Sequence, residues 1–167
     1  MSYTIDRQWS DQFIPSIKTI VGPLLLVETP DEIDCNQAAD LMVFSARNIR
    51  IAARVRRHGY ADRFPYEFTL RCARDSGAET ELSKIIDGWG DWMFYGHAST
   101  HEGVLLRWWI IDLAIFRASL IRDRNNDRIL CGKKSNGDGT HFAWFDLRSF
   151  PESLVVASGV APPRGDV

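Results

Sequence analysis

Asp40, Arg54, Arg56, Glu67 and Lys84 are the residues whose types and spacing bear on chemistry in this 167-residue chain. Asp40 opens the apolar run Leu41 to Phe44, and a second run, Ile51 to Arg56, carries two guanidiniums two positions apart. A carboxylate can hold magnesium, which polarises a phosphate and lowers the pKa of bound water. Guanidiniums match phosphate oxygens bidentately. Arg47, Arg50, Arg54, Arg56, Arg57 and His58 fall within twelve positions, so one reading of this segment is a phosphate-contacting strip. The ordinary reading is a solvated sheet face on which Arg54, Arg56 and Arg71 pair with Glu67, each cross-strand pair contributing about 0.2–1 kcal/mol.

Regular elements must place these groups. Phe13, Ile17, Ile20 and Val21 recur at helical spacing, which predicts a helix over 10–21 with Ser10 or Asp11 as its cap and Gly22-Pro23 as its stop. Leu24 to Glu28 reads as a short strand or a helical continuation, and 29–38 as a polar loop. Runs 40–45 and 49–56 read as two strands joined by the short turn Ala46-Arg47-Asn48, a hairpin. Strand 65–71 sets Tyr66, Phe68 and Leu70 on one face and Glu67, Thr69 and Arg71 on the other. Thr80 to Asp87 reads as a helix with a C-terminal stop at Gly88, where Glu81 favours the helix dipole and Lys84 lies one turn on. Strands are expected at 91–95 and 105–111, then a helix from Asp112 to Ile121. A hairpin spans 129–131 and 141–146 around Asn136 to Gly139, and a last strand covers 154–157.

An acid at the head of one strand, a tight hairpin and paired polar residues two apart on the next strand resemble the core of the PD-(D/E)XK nucleases. The order helix, three strands, helix, strand over about Ser10 to Tyr95 is similar to that family's αβββαβ core. The resemblance implies a Mg²⁺-dependent DNA-processing protein with Asp40 as first metal ligand. The family's Glu/Asp-x-Lys position reads Arg54-Val55-Arg56 here. Arg56 then stands in for the lysine, whereas the Arg54 guanidinium would repel a cation. On this resemblance Glu67 takes the vacant ligand role, Asp34 or Asp11 supplies a further carboxylate, and Lys84 points at a phosphate. Arg47, Arg50, Arg54, Arg71 and Lys84 form the implied nucleic-acid contact. The compact, aromatic-rich make-up is also similar to that of small phage or mobile-element proteins.

The composition implies one α/β (α+β) domain over 1–158, a central mixed sheet flanked by helices with a β-rich C-terminal extension, and a tail over 159–167. Net charge is −2, so a basic surface must be local and balanced by acidic regions elsewhere. Three cysteines without metal-site spacing imply reduced thiols and a cytoplasmic setting. The opening residues carry no signal-peptide pattern, and the apolar segment 104–121 is interrupted by Arg107, Asp112 and Arg117, so no membrane association is expected. His97 and His101 lack a third ligand. Trp89 to His97 reads as a buried strand before it reads as a base-stacking surface, and of Trp108 and Trp109 one needs a buried site. Two readings accompany the nuclease: a non-catalytic module using the arginines on nucleic acid or an acidic protein, and a structural protein self-associating through its tryptophans, a homodimer included.

Overall fold

The computed structural model describes residues 8–28, 41–43, 49–123 and 128–160. They form a single compact α+β domain of helices and mixed sheets. Helix α1 (Ile14–Val21) is followed by a 3₁₀ turn (Gly22–Leu25), then β1 (Leu26–Glu28) and β2 (Leu41–Val43). Next come β3 (Ile51–Arg56), a one-turn helix α2 (Tyr60–Arg63), β4 (Glu67–Arg74), α3 (Glu81–Ile86), β5 (Trp92–Ala98) and β6 (Leu105–Asp112). Helix α4 (Leu113–Asp123), β7 (Cys131–Ser135), β8 (Thr140–Asp146) and β9 (Val155–Val160) complete the described chain. None of the described helices is long and apolar enough to cross a membrane.

Four strands in the order β3-β5-β6-β9 make the larger sheet, three in the order β4-β8-β7 make a second, and β1 pairs with β2 alone. β3 runs parallel to β5, and the other ladders are antiparallel. The expected hairpin is therefore a correction: Leu41–Val43 pairs with Leu26–Glu28, and Ile51–Arg56 pairs with Trp92–Ala98. A period-two pattern decides which residues share a face, but it leaves the partner edge undecided. Val55 is buried in the same cluster as Phe94 and α1, an environment that a local turn could not supply.

Strand β5 explains the layering. Phe94 faces α1, where Phe13, Ile17 and Val21 bury it together with Ile110. Met93 and Tyr95 face the other way, into a core with Phe68, Leu70, Ala143 and Phe145 of the three-stranded sheet and Phe116 of α4. The core is aromatic: Phe68 stacks on Phe145 at 5.3 Å and meets Phe116 edge-on at 5.5 Å. Trp109 is buried in this core, while Trp108 is half-buried on the α1 side against Phe94.

Local signals account for the helix ends. Pro15 lies in the first turn of α1, where its missing N–H costs nothing, so the helix starts at Ile14. A separate helical turn precedes it, and the cap position belongs to Phe13 and not to Ser10 or Asp11. Thr80 and Ser83 form a capping box on α3, and Gly88 follows it at φ 91°. The Asp112 carboxylate accepts from the Ala114 and Ile115 N–H groups, as expected for α4. The turn between β7 and β8 closes through Asn136 N–H to Thr140 O at 2.8 Å.

The C-terminal boundary also moves. β9 continues to Val160, so Gly159 belongs to the sheet, while 161–167 of the expected tail lie outside the described residues. A Cβ at Gly159 would stand 2.6 Å from the Trp108 ring. Gly159→Ala is expected to cost about 1–3 kcal/mol of stability through overpacking. Ser158→Ala on the exposed face should stay within about 0.5 kcal/mol, both read by denaturant unfolding.

Candidate functional site

The alternation of β3 sends Ile51 and Val55 toward α1, and thus Arg54 and Arg56 toward the opposite face. Register then aligns Arg54 with Tyr95 and Trp109, and Arg56 with His97 and Arg107. On β4, Phe68 and Leu70 are fully buried, which leaves Glu67, Thr69 and Arg71 on the other face. The free edges of the two larger sheets meet here, and their polar residues interleave.

Glu81, in the first turn of α3, links the two edges. Its Oε2 accepts from Arg54 Nη1 at 2.6 Å and from the Arg71 backbone N–H at 3.3 Å. The Arg54 and Glu81 side chains are only 17% and 26% exposed, so this pair is better shielded than an ordinary surface ion pair. Arg54 and Arg71 both stand against the Phe142 ring, at 5.1 and 5.9 Å. Arg56 stacks on Tyr60 at 4.1 Å and donates a long bond of 3.5 Å to Thr69 Oγ1, which is 3.2 Å from the Tyr95 hydroxyl.

Positive charge is in excess at this seam. Burial, then Arg74 and Arg54, hold the Arg71 guanidinium below its ordinary value. His97 is 1% exposed, and burial, then Arg107 and Arg56, lower its pKa to about 4, so the ring is neutral at pH 7. Among the described residues, Arg56 Nε, Arg71 Nε and His97 Nδ1 are buried and have no hydrogen-bond partner. Burial keeps the Tyr95 phenol protonated by raising its pKa.

The same face of the three-stranded sheet carries aromatics. Arg71 aligns with Phe142 and Lys134, and Thr69 with Trp144 and Gly132. A Cβ at Gly132 would come within 2.7 Å of the Trp144 indole, so glycine is what lets that ring lie across β7. Phe142 and Trp144 are both half-buried, and Lys134 is exposed.

The residues singled out in the sequence separate into groups. Arg54, Arg56 and Arg71 come together, half-buried in place of the fully solvated face expected, with Glu81 and not Glu67 as the carboxylate bound to Arg54. Glu67 sits opposite Asp146 in the ladder, and burial, then Asp146, raise its pKa. Asp146 is held by Arg148 through bonds of 3.0 and 2.6 Å, which lower its own pKa. Lys84 pairs with Glu79 at 3.7 Å and Arg50 with Asp91 at 3.3 Å, both on the surface. Asp34, Asp40 and Arg47 lie outside the described residues, and Asp11 is exposed at the first helical turn. Among the described residues no group of three His, Cys, Asp or Glu side chains could hold a metal. Cys72 and Cys131 are free. The residues that sequence reasoning missed are Thr69, His97, Arg107, Phe142 and Trp144. Alternation along 141–146 was the available signal for the two rings, whereas nothing local marked their meeting with Arg54.

No family model, no curated protein and no solved structure matches this chain.

His97 gives the seam a measurable pH signature. The unfolded chain takes up a proton at its ordinary pKa of about 6.5, the folded chain only near 4. Stability from this group is therefore complete above the unfolded value and drains as pH falls toward 4, by about 3 kcal/mol in all. Unfolding free energies at pH 7, 5.5 and 4 should fall less steeply in His97→Gln than in the unaltered protein; equal slopes would show that His97 is not the group.

Proposed function

We propose that this protein binds single-stranded nucleic acid across the outer face of β4, β8 and β7. The observation that carries the reading is the Phe142 ring with both Arg54 and Arg71 against it, and Trp144 two residues along the same strand face. Single strands are bound where a cationic track follows the phosphates and aromatic rings stack with the bases. Arg54, Arg71 and Lys134 supply the track, and Phe142 and Trp144 the rings. A net charge of −2 does not oppose this, because a local patch suffices and Arg71 and Lys134 align across this face with Phe142 between them in the ladder. This is the binding module already legible in the arginine strip, with its aromatic half added.

Anisotropy of a labelled single-stranded oligonucleotide tests the reading. Phe142→Ala and Trp144→Ala should each weaken binding by about 1–3 kcal/mol. Lys134→Ala should reduce the dependence of log K on log salt by about 0.7. No binding at low salt would remove the reading. Salt-sensitive binding of an acidic protein that is indifferent to both rings would instead assign the face to a protein partner.

The resemblance to PD-(D/E)XK nucleases supports a second reading, favoured by the facing carboxylates Glu67 and Asp146. On this reading Glu67 would hold Mg²⁺ together with Asp40, which lies outside the described residues, and Arg56 would stabilise phosphate charge. Asp146 fits only if Arg148 releases it. Magnesium would supply polarisation of the phosphate and a more acidic water. Mg²⁺- or Mn²⁺-dependent cleavage of DNA or RNA, abolished in both Asp40→Ala and Glu67→Ala, is the expected result. Absence of cleavage on every nucleic-acid form with either ion would discard it.

A further inference from the structure

We infer that Arg56, Thr69 and His97, with Arg107 beside them, form an inner site for a phosphoryl dianion, and that a terminal phosphate on a nucleic-acid strand fits it. The strand-end part rests on the proposed nucleic-acid function; the phosphoryl site itself stands on separate observations.

Among the described residues two buried nitrogens on neighbouring strands, Arg56 Nε and His97 Nδ1, lack hydrogen-bond partners, and Arg71 Nε on β4 is a third. Register places the first two together: Arg56 is the ladder partner of His97, and its Nη1 reaches Thr69. Buried polar atoms are almost always hydrogen-bonded in native proteins. The Arg56 Nε–H needs an acceptor, and a His97 ring protonated at Nδ1 donates to the same one.

Charge selects the acceptor. Arg107 and Arg56 stand around the neutral His97 ring. Glu81 accepts from Arg54 and the Arg71 backbone and Asp146 from Arg148, while Glu67 faces Asp146. A water would satisfy donors without balancing the guanidiniums. A phosphoryl group offers three terminal oxygens and two negative charges, which suits two arginine edges, an imidazole and a hydroxyl better than a planar carboxylate does.

Depth selects the strand end. His97 is 1% exposed, whereas Phe142 and Trp144 on the outer face are half-exposed. An internal phosphodiester carries a sugar on each side and is held out at the level of the rings. A terminal phosphate has one free side and is the form able to pass inward of the rings.

The test compares one oligonucleotide sequence phosphorylated at the 5′ end, at the 3′ end or at neither, with inorganic phosphate titrated separately while the His97 ring resonances are followed by NMR. The expected result is at least tenfold tighter binding of one phosphorylated end, lost in Arg56→Gln and in Thr69→Val. Both variants are first checked for native thermal unfolding, and either one that folds suffices. Phosphate moving the His97 resonances without any end preference keeps the site and assigns it to free phosphate. Tight phosphate binding with no oligonucleotide bound would discard the proposed function and keep the site. Oligonucleotide binding with no end preference and no phosphate effect at His97 would overturn the inference and leave the proposed function standing.

Discussion

Met93, Phe94 and Tyr95 are consecutive, and all three are fully buried, which a strand can satisfy only if both its faces are covered. Helix α1 covers one face of β5; the three-stranded sheet and α4 cover the other. Burial of large aliphatic and aromatic side chains contributes about 1.5–3 kcal/mol each, so this sandwiching outweighs any single polar contact elsewhere. The four-stranded sheet, its parallel β3–β5 pair and the docking of β4 onto a different sheet follow from that requirement. The chain between β3 and β5 is a crossover, which parallel neighbours need, and it leaves β4 behind in the second sheet on its way.

That crossover creates the polar seam. β3 is an edge strand of one sheet and β4 an edge strand of the other, and edges are where charged side chains collect. Glu81 reaches into the seam from α3 and neutralises part of it by accepting from Arg54 and from the backbone of Arg71. Arg56 and Arg107 lie beside a histidine that burial keeps uncharged. The result is a region short of acceptors and rich in donors, next to a sheet face with two half-exposed rings. An anionic ligand would suit such a region, which is the basis of the proposed function, and on that reading the aromatic pair favours a single-stranded nucleic acid.

Most elements were legible because their signals are local. The alternation in 65–71 correctly separated Phe68 and Leu70 from Glu67, Thr69 and Arg71. Thr80 and Gly88 bounded α3, and Asp112 capped α4. The hairpin expected from 40–56 was not formed, because pairing depends on which edge offers a matching buried surface. β9 was cut short because Gly159 reads as a loop residue, whereas it is needed for the approach of the Trp108 ring.

Of the site, the sequence by itself determined the clustering of arginines and the faces on which Arg54, Arg56 and Arg71 would lie, since both follow from spacing along a strand. Glu67 was the expected carboxylate, but the structure sets it beside Asp146, and Glu81 is the group that meets Arg54. Only the tertiary structure brought Phe142, 88 residues beyond Arg54 and 71 beyond Arg71, onto both guanidiniums. It alone aligned Arg56, His97 and Arg107 in one row. The physical reason is the same in each case. Local periodicity determines a side chain's direction, while its partners are chosen by long-range burial, which no window of sequence contains.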